Sequence, residues 1–281
     1  MGEHRLPWES WALGTSTSLF HGFDEQSLIA CQSAGVTRLE FVVGGSDPDR
    51  GAGYDPLAKR ARELGLEIWS VHLPFGKAWD ISSLDGAVRR QAHGWNHEIL
   101  ARAAEWGVKK AIIHPSFEPI PDAERGERLL HCSDSLHQLA EAASEVGVQI
   151  AVECLPRTCL GNTSDEILRL LEAHPALGVC CDVNHLLQET PQAFIARVGS
   201  RIVTLHISDY DGIDERHWLP GRGIIDWGAV IRQLAAAGYQ GPFMFEVVNR
   251  RDAAEVVTPE ALAACWNELK LQASSNQGGV G

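Results

Sequence analysis

The run Val146–His185, VGVQIAVECLPRTCLGNTSDEILRLLEAHPALGVCCDVNH, holds one full period of the fold. Gly147 reads as the end of a preceding helix, because glycine just past a helix takes the left-handed conformation that stops it. VQIAVE, from Val148, is a short apolar run rich in β-branched residues and reads as a buried strand. Thr163 or Ser164 then caps a helix through DEIL. LGVCCD, from Leu177, is a second strand of the same kind. Two such strands joined through a helix are the pattern of a parallel βαβ unit. Both end in an acid, Glu153 and Asp182.

The same period extends in both directions. Strand signals begin near Leu13 (ALGTST), at Arg38 (RLEFVV), Leu66 (LEIWSVH), Val108 (VKKAIIH), Arg201 (RIVTLHIS) and Pro242 (PFMFEVV), giving eight with the two above. Gly35, Gly65, Gly107, Gly147 and Gly238 end the helices that precede five of them. Asp24 marks a helix start, and Thr258-Pro259-Glu260 puts proline in a first turn. Eight strand-helix units in 281 residues predict one α/β domain, a single (β/α)8 TIM barrel over 1–272 with its active site at the C-terminal ends of the strands. A polar tail follows over 273–281. No GxGxxG follows the first strand, which argues against a dinucleotide-binding sheet.

Strand ends then become the informative positions. His72, His114, Glu153, Asp182, His206 and Glu246 each close an apolar run, and a barrel delivers all of them to one face. Alternation along the strands places Gln149, Ala151, Gly178, Cys180, Ile202 and Thr204 on the inward side. Glu153, Asp182, His206 and Glu246 make a donor set for one divalent ion: Mn²⁺, Mg²⁺ or Co²⁺, with Zn²⁺ also compatible. A dication would offset the mutual repulsion of three carboxylates. For any one acid the plain alternative is a loop cap or a surface ion pair; four at matching strand ends argue for the metal. His185, three residues past Asp182, is placed to meet a second ion or a substrate oxygen. The long segment Ser208–Trp227 carries His217, Trp218 and Arg222 around a PGRG turn and reads as a substrate-gripping loop. Arg222 would face anionic or polyhydroxy oxygens through its fork of donors. Phe75, Trp79 and Trp218 are candidate apolar walls for a substrate. His93 and His97 share a helical face, but Gly94 stands where a metalloprotease needs Glu, so they read as surface histidines.

Composition bounds the partners. A net charge of −13 repels polyanions and argues against nucleic acid. Seven cysteines without a CxxC pair fit reduced, buried thiols in a cytoplasmic protein. The N-terminus lacks the apolar stretch of a signal peptide, Leu6 argues against myristoylation, and no run approaches the length of a membrane span. A small-molecule substrate is expected. Exposed barrel helices are compatible with a homo-oligomer.

The motifs VHLPF (Val71–Phe75), IIHP (Ile112–Pro115), AVE (Ala151–Glu153), DVNH (Asp182–His185), LHISD (Leu205–Asp209), HWLPGRGIIDW (His217–Trp227) and FEV (Phe245–Val247) run through nearly the whole chain in order. With them the chain resembles the xylose-isomerase-like barrel superfamily. The resemblance implies metal ligands at Glu153, Asp182, His206 and Glu246. It also implies proton transfer by Glu153 and Glu246 on opposite faces of a substrate, a substrate contact at His185, and Glu40 at the mouth. The expected activity is a metal-dependent isomerase or epimerase acting on a small sugar, sugar phosphate or polyol derivative, with His72, His114, His217, Arg222 and Trp218 as further substrate contacts. Arg222 stands where many relatives carry an acid, which points toward a phosphorylated or carboxylated substrate. Three alternatives stay open. One is an apurinic-site endonuclease holding up to three Zn²⁺, for which His72, His114, Glu153, Asp182, His185, His206, His217 and Glu246 match, with Glu215 in place of the usual Asp. The others are a dehydratase or lyase of the inosose type and a non-catalytic sugar-binding barrel.

Overall fold

The computed structural model describes residues 6–45, 47, 49–251 and 256–275. Eight parallel strands alternate with eight helices. The strands are β1 (Leu13–Ser16), β2 (Arg38–Val42), β3 (Glu67–His72), β4 (Lys110–Ile113), β5 (Gln149–Glu153), β6 (Gly178–Asp182), β7 (Ile202–His206) and β8 (Phe243–Phe245). The helices are α1 (Glu25–Ser33), α2 (Asp55–Glu63), α3 (Gly86–Trp106), α4 (Asp122–Glu145), α5 (Ser164–Leu171), α6 (Pro191–Val198), α7 (Trp227–Ala236) and α8 (Pro259–Ser275).

Sheet order is β7-β6-β5-β4-β3-β2-β1-β8. An isolated parallel bridge between Ile207 and Phe245 then joins β7 to β8 and closes the barrel. Two backbone bonds make it, Ile207 N–H to Met244 O at 2.9 Å and Glu246 N–H to Ile207 O at 3.0 Å.

Local signals produce these elements as expected. Asp24 accepts from the Ser27 amide while Ser27 answers with its hydroxyl, a capping box that starts α1. Thr163, rather than Ser164, caps α5. Gly107 closes α3 at φ 84°, and the other four helix-ending glycines also take positive φ. Helix α8 runs past the boundary expected at 272, to Ser275, and the rest of the expected tail lies outside the described residues.

Most apolar side chains pack between strands and helices in one continuous core. A second, small cluster of Ile112, Ala151 and Cys180 sits apart from it, on the strand faces that carry His114, Glu153 and Asp182. Two irregularities shape this interior. Val179 pairs with Ile202 but Cys180 with Thr204, so Val203 is an extra, bulged residue. The bulge corrects the simple alternation: Val203 packs on the inner cluster, and Ile202 belongs to the outer core. Gly178 makes room, since a Cβ there would stand 2.5 Å from Val203 Cγ2. Trp69 is bulged in the same way between β2 and β3, and its indole N–H donates to Thr204 Oγ1 at 3.1 Å. No helix among the described residues is long and apolar enough to cross a membrane. All seven cysteines are free and buried.

Candidate metal and active site

The barrel brings the strand-end residues together at its C-terminal mouth. His72, Glu153, Asp182 and His206 are the last residues of β3, β5, β6 and β7, while His114 and Glu246 directly follow β4 and β8. Ligand atoms of Glu153, Asp182, His206 and Glu246 all lie within 4.8 Å of one another. His206 Nδ1 stands 3.1 Å from Glu153 Oε1, 3.4 Å from Glu246 Oε2 and 3.9 Å from Asp182 Oδ2. Asp182 Oδ2 and Glu246 Oε2 are buried and have no hydrogen-bond partner. Leaving such an oxygen unsatisfied costs roughly 1–3 kcal/mol, more for a charged group. Two orphaned carboxylate oxygens converging beside an imidazole nitrogen therefore fit a divalent cation.

Two further groups adjoin this one. Glu153 Oε2 meets His72 Nε2 at 3.1 Å and His114 Nε2 at 3.2 Å. Glu215 Oε2 meets His185 Nε2 at 2.9 Å, with His217 completing a third cluster. His185 connects this cluster to the first, since its Nδ1 lies 3.2 Å from Asp182 Oδ2 and 3.4 Å from Glu153 Oε1.

Beneath the ligands lies Glu40, fully buried in β2. Its carboxylate stands 3.0 Å and 3.2 Å from His206 Nε2 and accepts from Ser70 Oγ at 2.7 Å. The resemblance implied a residue lining the mouth. Instead Glu40 orients His206 so that Nδ1 faces the other ligands, the way outer partners fix a ligating histidine.

The charges divide the carboxylates. Burial pushes Glu246 well above the ordinary range, and Asp182, Glu153 and Glu40 reinforce the shift, outweighing His206. Burial would raise Glu153 too, but His206 and His114, with His185 hydrogen-bonding, hold it well below. Burial opposes charge on His206, yet Cys180, Glu246, Glu40 and Glu153 carry it well above an ordinary imidazole. At the third cluster, the hydrogen bond from His185 and then Arg157 bring Glu215 down to about 2 despite partial burial.

A cavity of about 190 Å³ opens above the cluster, lined by His72, Phe75, His114, Glu153, His185, His217 and Glu246 among others. Phe75 stacks on His114 with ring centroids 4.6 Å apart and is the one expected apolar wall found there. Trp79 packs on Trp95 instead, at 4.3 Å. Arg222 and Trp218 do not line this cavity. They line a neighbouring cleft with Leu219, Val247 and Arg250, to which His217 is common. The reason is Asp209, fully buried at the root of the PGRG loop. Its carboxylate accepts from the Gly221 amide at 2.8 Å, the Ile225 amide at 3.3 Å and the Trp227 indole at 3.0 Å, and so folds the turn back on the barrel. Asp209 closes the LHISD motif without having been given a role, and Phe117, Glu118 and Arg157 line the cavity from loops without a strand-end signal. His93 and His97 lie on α3 with rings 6.4 Å apart and join no ligand cluster among the described residues.

Comparison with known proteins identifies the family. Residues 28–267 match the xylose isomerase-like TIM barrel family. A protein of Sinorhizobium fredii with no assigned function is 35% identical over 253 residues, covering 78% of this chain and 79% of its own. A ketose 3-epimerase of Arthrobacter globiformis is 28% identical over 221 residues, 74% of this chain and 72% of that one. A crystal structure of a D-tagatose 3-epimerase-like protein superposes with TM-score 0.81 at 23% identity, over 95% of this chain and 99% of that chain. The family match spans all but the ends of the chain, and the chain belongs to the xylose isomerase-like TIM barrel family.

Proposed function

We propose that the protein is a divalent-metal-dependent epimerase or isomerase of a small, uncharged ketose or polyol. The observation that carries this reading is the pair of buried, unpartnered oxygens on Asp182 and Glu246 beside His206 Nδ1. Glu153, Asp182, His206 and Glu246 would hold the ion, with Mn²⁺, Mg²⁺, Co²⁺ and Zn²⁺ all compatible with the donors. When bound, such an ion polarises a substrate carbonyl and acidifies the adjacent C–H. Glu153, held ionised by its histidines, is the group suited to take that proton. Glu246 is the second carboxyl of the cluster and is suited to return one. Phe75 offers an apolar wall, and His72, His114, His185 and His217 offer polar contacts. An uncharged substrate is favoured because Arg157, the guanidinium lining the cavity, is already paired with Glu118, Asp214 and Glu215, while Arg222 faces another cleft.

Turnover of ketoses in D₂O tests the reading. Deuterium is expected on the carbon next to the carbonyl, and Glu153→Gln and Glu246→Gln are each expected to lose about 10²–10⁴-fold in rate. Full activity in both variants would reject the proton roles. The three adjoining clusters favour a second reading, a three-zinc phosphodiesterase acting at abasic sites. It requires three ions per chain and cleavage of an abasic duplex.

A further inference from the structure

We infer that Arg157 is a metal-specificity residue: it occupies the third cluster in place of a cation, so that His185, Glu215 and His217 stay free of metal while the central site is filled. The inference rests on the mononuclear reading above. Those three side chains bring ligand atoms within 4.8 Å of one another, as a second ion would require. Yet both oxygens of Glu215 are committed. Oε2 faces His185 Nε2 at 2.9 Å, and Oε1 faces Arg157 Nη2 at 2.8 Å.

Arg157 is held for this task from several sides. Its Nε donates to Glu118 Oε1 at 2.7 Å, and Nη1 pairs with Asp214. One guanidinium thus ties the loop after β5 to the loops after β4 and β7. Its backbone sits at φ 51°, a left-handed conformation that a residue with a side chain adopts only when its surroundings hold it. Asn162 Nδ2 secures that backbone by donating to Arg157 O at 2.6 Å. A guanidinium cannot lose its charge in a protein. An ion entering the third cluster would therefore meet a fixed positive neighbour and would have to share Glu215 with it. In the central cluster Asp182 Oδ2 and Glu246 Oε2 make no hydrogen bond, although His185 Nδ1 stands 3.2 Å from the former.

The loop has a second hold besides Arg157. Arg125 grips it independently, donating to Thr158 O at 2.9 Å and Cys159 O at 3.0 Å. Arg157→Gln, which keeps polar reach without charge, is accordingly expected to fold, and Arg157→Met, of similar bulk, replaces it if it does not.

Wild type, Arg157→Gln and the double variant Arg157→Gln/Glu215→Gln are dialysed to equilibrium against Mn²⁺ and, separately, Zn²⁺. Bound metal is then counted by elemental analysis, with circular dichroism confirming the fold. We expect one ion in wild type, two in Arg157→Gln, and one in the double variant. The second ion should bind at least tenfold more tightly to Arg157→Gln than to wild type. One ion in folded Arg157→Gln overturns the inference alone. So does a second ion in wild type, or a second ion that survives loss of Glu215. No ion in any of the three proteins overturns the metal reading itself, and this inference with it.

Discussion

Glu40→Gln isolates the contribution of a residue that never touches the metal position. The substitution keeps the shape of a fully buried side chain and removes its charge from His206 Nε2, 3.0 Å away. A hydrogen bond to a charged group contributes about 1.5–3 kcal/mol and a neutral one about 1 kcal/mol. The difference, about 0.5–2 kcal/mol, is what His206 loses as a ligand. Loss of such an outer partner typically weakens metal binding about 10–100-fold, which is about 1.4–2.8 kcal/mol, so the two estimates overlap. A competing effect has the opposite sign. Glu40 also helps hold a proton on His206, raising it well above the ordinary imidazole range, and a proton on Nδ1 excludes the metal. Removing the carboxylate eases that competition. The loss of affinity should therefore be largest at pH 8 and above, and shrink as pH falls. Calorimetric titration of Mn²⁺ into wild type and variant at pH 6.5 and 8.5 measures both. Affinity within twofold of wild type at pH 8.5, in a variant with native circular dichroism, would refute the positioning role.

Two further outcomes follow from the same residues. Glu246 and His206 are both raised in the metal-free site, so each contributes stability at low pH that is lost as pH rises through its raised value. Metal binding requires both to shed protons. Affinity and metal-induced thermal stabilisation should rise with pH between 6 and 8. Binding enthalpies should differ between two buffers of unlike ionisation enthalpy, and buffer-independent enthalpies would contradict the assignment. Asp209→Ala orphans the Gly221, Ile225 and Trp227 donors and should cost about 1–3 kcal/mol of stability, the penalty for leaving buried donors unsatisfied. Urea unfolding measures it, and a loss below about 1 kcal/mol would show that the loop is held by other contacts.

The barrel was legible because its signals are local and repeat. A short apolar strand followed by a helix recurs eight times, five of the strands announced by a helix-closing glycine, and chain order then dictates which residues share a mouth. That is why Glu153, Asp182, His206 and Glu246 could be grouped before any coordinates. What stayed hidden depends on contacts between distant segments. Glu40 sits in the interior of β2 with no motif around it, and its meaning comes only from the imidazole of β7 above it. The bulge at Val203 leaves no mark in a run of β-branched residues, yet it decides which of Ile202 and Val203 faces inward. Arg222 misled for a related reason. Its place in a glycine-rich turn suggested reach into the site, but the buried carboxylate of Asp209 takes the turn's amides and draws it aside. Arg157 carried no signal, since its role is fixed by three acids on two other loops. Strand ends, ordered by topology, supplied the candidate ligands. The neighbours that set their charge came from loop closure, which the chain encodes only in pairs of residues far apart in sequence.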